Sequence, residues 1–113
     1  IGEVAGRTAI MFDDMIDTGG SIINGADALL ERGASEVFAA CTHGVLSGNA
    51  PDSILASPIK KLIVTDTIPI PANKRDSKIA VVSVAGLLAA AIRRIHLEGS
   101  VSELFSEHWK GRS

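Results

Sequence analysis

The chain has 113 residues, the size of one ordinary domain, with 11 Lys+Arg against 13 Asp+Glu and a formal net charge of −2. That balance excludes the basic field needed for sequence-independent nucleic-acid binding, and 4% aromatic content without Tyr argues against a base-stacking surface. Apolar residues at 46% and charged residues at 21% argue against a disordered chain, and no apolar run approaches the ~20 residues of a membrane span.

Short apolar runs alternate with amphipathic segments along the sequence. Residues 8–12, Thr8-Ala9-Ile10-Met11-Phe12, read as a buried strand that ends in Asp13-Asp14. Gly19-Gly20 break the strand, and Ile22, Ala26, Leu29 and Leu30 then form one face of a helix. Arg32 and Gly33 supply its basic last turn and its stop. A second strand covers residues 36–42, followed by a loop marked by Gly44, Ser47, Gly48, Asn49 and Pro51. A short helix over residues 52–56 ends at Ser57-Pro58. Leu62-Ile63-Val64 is a third strand closing in Thr65-Asp66, and Pro69 and Pro71 make the next stretch a loop or edge segment. Ile79-Ala80-Val81-Val82 is a fourth strand. Leu88, Ala91, Ile92 and Ile95 then form a second helical stripe with Arg93 and Arg94 at its basic end. This alternation predicts an α/β domain with a mainly parallel sheet flanked by helices; it leaves the strand order open.

Cys41 is the lone cysteine, reads as a small core residue, and points to a cytoplasmic setting rather than a disulfide-forming one. No basic-then-apolar leader opens the chain, and Ile1-Gly2-Glu3 without an initiator Met is expected of a processed chain or part of a longer one.

The most informative stretch is Asp13-Asp14-Met15-Ile16-Asp17-Thr18-Gly19-Gly20-Ser21. Ligands of open α/β sheets bind beyond the carboxyl ends of strands, and this is such an end. Gly19 and Gly20 let the backbone turn sharply and approach a ligand, and the helix that follows offers N–H groups and a partial positive charge to a phosphate. Thr18 and Ser21 add hydroxyls, while Asp13 and Asp14 suit sugar hydroxyls or a hard cation such as Mg²⁺. The combination reads as a sugar-phosphate site, although a strand ending in Asp before a glycine turn is also a common structural device. Three other motifs are excluded. A calcium loop would place Met15 or Ile16 at a ligand position, the span from Gly20 to Gly25 is followed by Ala26-Asp27 rather than Lys-Ser/Thr, and no Gly-x-Gly-x-x-Gly occurs.

The same loop resembles the ribose-phosphate loop of type I phosphoribosyltransferase folds, and more narrowly that of the ribose-phosphate pyrophosphokinase (PRPP synthetase) family. Further stretches share the likeness: Ala26-Asp27-Ala28-Leu29-Leu30-Glu31-Arg32-Gly33-Ala34, Thr42-His43-Gly44-Val45-Leu46-Ser47-Gly48-Asn49-Ala50, Thr65-Asp66-Thr67-Ile68-Pro69, Leu87-Leu88-Ala89-Ala90-Ala91-Ile92-Arg93-Arg94-Ile95 and Ser100-Val101-Ser102-Glu103-Leu104-Phe105. The resemblance implies a phosphoribosyltransferase-like carboxyl-terminal domain over residues 1–105 with a C-terminal tail at 106–113. It implies that Asp17, Thr18, Gly19, Gly20 and Ser21 cradle the 5-phosphate of ribose 5-phosphate, while Asp13 and Asp14 contact ribose hydroxyls or nearby Mg²⁺. Ser21 stands where Thr is more usual, and the hydroxyl survives. The family's reaction moves the pyrophosphoryl group of ATP to the anomeric hydroxyl of ribose 5-phosphate, giving PRPP for nucleotide biosynthesis.

The family's ATP-binding residues, metal-ligand His and catalytic Lys/Arg loop precede this stretch, so the isolated chain is expected to be silent. Ser100, Ser102 and Phe105 resemble a regulatory phosphate or nucleotide site between subunits, and a homo-oligomeric parent of hexamer-of-dimers type is implied, with neither nucleic acid nor membrane as partner. His43 reads as a loop hydrogen-bonding residue, His96 and His108 as surface residues, Lys60-Lys61 and Lys74-Arg75 as solvated pairs, and Trp109 as lying beyond the match. The rival readings are a non-catalytic regulatory homologue, a plain phosphoribosyltransferase, and a signalling receiver domain using Asp66 and Ser83. The receiver reading lacks a Lys at the end of a fifth strand and leaves Thr18-Gly19-Gly20-Ser21 unexplained.

Overall fold

A computed structural model describes residues 2–97, which fall into two units, one ending at Val82 and the other starting at Ser83. The expected boundary after residue 105 lies outside the described residues. In the first unit, β1 (Thr8–Ile16), β2 (Glu36–Gly44), β3 (Ile59–Thr65) and β4 (Ile79–Val82) form one sheet in the order β1-β2-β3-β4, every neighbouring pair parallel. Helix α1 (Gly20–Glu31) links β1 to β2 and α2 (Ala50–Ala56) links β2 to β3, while a loop with a 3₁₀ turn at Ala72–Lys74 leads to β4. The second unit holds α3 (Ala85–His96), whose last turn carries Arg93, Arg94 and His96 where cations complement the helix dipole.

Each connection steps the sheet in the same direction. Right-handed crossovers therefore send α1 and α2 to one face, and the core lies between them and the sheet. Ile22 and Ala26 of α1 and Ile54 of α2 pack there with Val37, Ala39 and Cys41 of β2 and Ile59, Leu62 and Val64 of β3. Full burial of each Leu, Ile or Val contributes roughly 1.5–3 kcal/mol, and burial also pushes the Cys41 thiol pKa up. Within this unit Ile10, Phe12, Ile63 and Val82 stand exposed on the sheet.

Local signals explain the ends of α1. Gly33 at φ 97 donates to the Leu30 carbonyl at 2.9 Å and Ala34 to the Leu29 carbonyl at 3.1 Å, the paired bonds of a left-handed helix stop that the Arg32-Gly33 sequence foretells. The strand boundaries differ more. β1 does not end at Phe12: it runs on through Asp13 and Asp14 because Met15 pairs with His43 and Ile16 with Gly44. Nor is β1 buried on both sides, since it is the edge of the described sheet and Phe12 is 79% exposed. β2 likewise reaches Gly44, β3 begins at Ile59 and α2 at Ala50.

Candidate functional site

The extension of β1 moves the turn to Asp17-Thr18-Gly19, between Ile16, which is buried, and the first residue of α1. Gly19 caps the helix at φ 90, a left-handed conformation that costs any L side chain energy, so glycine is required for backbone reasons. No side chain caps α1 and no acidic residue sits in its first turn. The N–H groups and positive end of the dipole are thus left for a ligand or solvent.

Asp13, Met15, Ile16, Asp17, Thr18 and the Gly19–Ile22 start of the helix line an open cleft of about 220 Å³. That volume is below the range of drug-sized pockets and suits a small polar molecule. The structure therefore brings together Asp13, Asp17, Thr18, Gly19, Gly20 and Ser21. Asp14 is not among the lining residues. It acts on Asp13 instead: the Asp14 side chain first, then the Asp14 N–H at 2.8 Å, hold the Asp13 carboxyl below its usual range and favour the carboxylate. A carboxylate at the cleft wall is an acceptor for hydroxyl groups.

The loop after β2 braces the turn from one side. Val45 and Leu46 both donate N–H bonds to the Ile16 carbonyl, at 3.0 and 3.1 Å, and the Ser47 N–H donates to the Asp17 carbonyl at 3.0 Å. The Ser47 hydroxyl donates to Asp17 Oδ1. Leu46 is fully buried at φ 50, so its side chain pins the loop while its backbone sits in a region that disfavours leucine. The sequence reading missed Ser47 and Leu46 as supports of the turn. A Leu flanked by Val and Ser carries no local mark of a left-handed conformation.

His43 is a loop hydrogen-bonding residue, as its sequence context suggests: Nδ1 lies 2.8 Å from the Thr67 hydroxyl. The Thr65 and Thr67 hydroxyls donate to the Thr42 carbonyl at 2.6 and 3.1 Å, which ties the carboxyl ends of β2 and β3 together. Three residues of the basic pairs make contacts: Lys60, itself largely exposed, pairs with Glu36 at 3.0 Å, Lys61 Nζ donates to the Ser77 carbonyl at 3.1 Å, and Arg75 Nε to the Ile70 carbonyl at 2.8 Å. Among the described residues no cluster of three or more His, Cys, Asp or Glu could hold a metal ion, and no helix is long and apolar enough to cross a membrane. Two exposed carboxylates still fit Mg²⁺, which is typically held by one or two carboxylates together with a substrate's phosphates. Ser100, Ser102, Phe105, His108 and Trp109 lie outside the described residues.

Comparison with known proteins bears on the family and the fold. Residues 1–106 match the phosphoribosyl synthetase-associated domain. A ribose-phosphate pyrophosphokinase of Clostridium acetobutylicum is 54% identical over 107 residues, covering 95% of this chain and 34% of that protein. One from Clostridium tetani is 56% identical over 105 residues, covering 93% and 33%. The crystal structure of phosphoribosylpyrophosphate synthetase from Mycobacterium smegmatis superimposes with a TM-score of 0.83 at 45% identity over 88% of this chain and 33% of that one. The chain thus spans about a third of the length of the curated relatives it matches. With nearly its whole length matched, the chain belongs to the phosphoribosyl synthetase-associated domain family.

Proposed function

We propose that this chain is the ribose 5-phosphate-holding part of a ribose-phosphate diphosphokinase. The observation that carries the reading is the uncapped, acid-free start of α1, whose Gly19-Gly20 turn lines a small cleft with the Asp13 carboxylate in its wall. The 5-phosphate meets the first-turn N–H groups and the Thr18 and Ser21 hydroxyls; Asp13 accepts from ribose hydroxyls, and the Asp14 N–H orients its carboxylate at 2.8 Å. Held this way, the sugar presents its anomeric oxygen to the β-phosphorus of ATP. A P–O bond forms there as the hydroxyl releases its proton to solvent, the bond from the β-phosphorus to the α-phosphate oxygen breaks, AMP leaves, and PRPP results. Much of the protein's contribution is positional: a fixed acceptor turns an encounter of two molecules into an in-line transfer. Mg²⁺, when bound, offsets the phosphate charge, with Asp13 and Asp14 as its nearest candidates in this chain.

The names of the relatives and the family membership support this reading, and membership removes the ground for a receiver domain. The assignment to the carboxyl-terminal part of such an enzyme rests on the motif resemblance. So does the expectation that ATP contacts and the catalytic Lys/Arg loop belong to other sequence. The test is calorimetric titration of the full chain with ribose 5-phosphate. Wild-type binding should weaken on the order of tenfold, ~1.4 kcal/mol, in Thr18→Ala and in Asp13→Ala. Equal affinities in all three proteins would remove the cradle assignment. ATP-dependent PRPP formation by the isolated chain would disprove its silence.

A further inference from the structure

Asp17 is the one residue of the turn whose chemistry opposes a phosphate, because two anions at short range repel. Its carboxylate is engaged elsewhere: Oδ1 accepts the Ser47 hydroxyl, and the Asp17 carbonyl accepts the Ser47 N–H at 3.0 Å. Val45 and Leu46 add two bonds to the Ile16 carbonyl just before it, and the buried Leu46 side chain prevents the loop from drifting. Three consecutive residues, distant in sequence from the turn, therefore engage the carbonyl just before it, its first carbonyl and its only acidic side chain.

We propose that Ser47 is a positioning residue for the anion cradle, acting through Asp17. In this arrangement Asp17 serves as the acceptor that fixes the backbone of Thr18 and Gly19, and does not itself bind the phosphate. A hydroxyl-to-carboxylate bond suits the purpose: it is stronger than a neutral bond and it partly offsets the Asp17 charge beside the anion site. Without it the turn keeps its glycines but loses the fixed orientation of its N–H groups, and affinity falls because only a fraction of the molecules is competent. This inference rests on the cradle reading above, and the experiment separates the two.

The experiment compares the full chain with Ser47→Ala, Ser47→Thr, Asp17→Ala and the Ser47→Ala/Asp17→Ala double variant. Backbone ¹⁵N order parameters at Thr18, Gly19, Gly20 and Ser21 are measured without ligand, and then the dissociation constant for ribose 5-phosphate. Order parameters near ~0.85 in the wild type should fall towards ~0.6 in Ser47→Ala and recover in Ser47→Thr, which keeps the hydroxyl. Binding should weaken about three- to tenfold in Ser47→Ala, and adding Asp17→Ala should cost little more because both changes remove one bond. Should Ser47→Ala fail to fold, Ser47→Cys, with a thiol that donates weakly, carries the same comparison. Unchanged order parameters in the variant lacking the hydroxyl, or additive effects with no rescue by Thr, would overturn the positioning role. Loosened amides in a chain whose wild type does not bind ribose 5-phosphate would instead leave the brace standing and remove the cradle reading.

Discussion

Two adjacent glycines should respond to the same substitution with opposite signs. At Gly19 the backbone has φ 90, while an added Cβ would meet Ile54 Cγ1 no closer than 3.7 Å, an ordinary contact. Gly19→Ala is therefore a pure backbone perturbation. The left-handed conformation costs about 1–2 kcal/mol, a less flexible unfolded chain returns about 0.4–1 kcal/mol, and the net loss is near 0.5–1 kcal/mol. Gly20 is the first residue of α1, and nothing lies within 4 Å of a Cβ built on it. Gly20→Ala should accordingly stabilise the fold by about 0.4–1 kcal/mol. At roughly 4–8 °C per kcal/mol for a domain of this size, the two variants should melt on either side of the wild type. Gly20 also lines the cleft, so its new methyl stands where a phosphate must approach the backbone. Ribose 5-phosphate affinity should drop on the order of tenfold in Gly20→Ala, equivalent to ~1.4 kcal/mol, although the protein is more stable. Thermal melts and calorimetry on the two variants decide the matter. If Gly19→Ala melts no lower than Gly20→Ala, the backbone argument fails; if Gly20→Ala binds like the wild type, the phosphate does not sit at this helix start.

Two other perturbations test the body of the fold. A Cβ on Gly44 would lie 2.8 Å from Val64 Cγ2 and 3.4 Å from Ile70 Cδ1, both buried side chains, so Gly44→Ala should destabilise by about 1–3 kcal/mol through overpacking; a urea midpoint equal to the wild type's would contradict that packing. The Lys60 ammonium at 3.0 Å, then the Thr8 hydroxyl, hold the Glu36 carboxyl below its ordinary value. Its contribution is thus complete above the unfolded value of about 4.3 and lost as pH falls through the lowered folded value. Lys60→Met should raise the Glu36 midpoint in a carbon-detected NMR titration, and an unmoved midpoint would show the pair to be inert.

The parts of the molecule governed by neighbours in sequence were legible in it. Gly19-Gly20 and Arg32-Gly33 announce the ends of α1 because left-handed turns demand glycine locally, and the Ile22-Ala26 stripe reports its buried face. The strand alternation and its class followed in the same way. What could not be read depends on partners distant in the chain. β1 continues past Asp13-Asp14 because His43 and Gly44 offer ladder partners, which an acidic pair at the end of an apolar run does not reveal. Asp17 reads as part of the phosphate loop by motif, yet its hydrogen-bond partner is Ser47, 30 residues away. Asp13 and Asp14 look equivalent in sequence, and only one of them lines the cleft.

The conformation of Leu46 has a consequence for how this loop can vary. A residue held in the left-handed region is normally replaced at will by glycine, but here the side chain is fully buried in the core, so both the backbone and the volume are specified at one position. Ser47 reaches Asp17 only because Leu46 is anchored one residue earlier and Gly44 permits close approach to Val64 two residues before that. Length, rather than composition, is then the fixed property of this stretch. A single residue inserted between Gly44 and Ser47 would leave every side chain type in place and still disengage the turn. Surface loops usually absorb such insertions; this one behaves as a ruler between the core and the ligand turn.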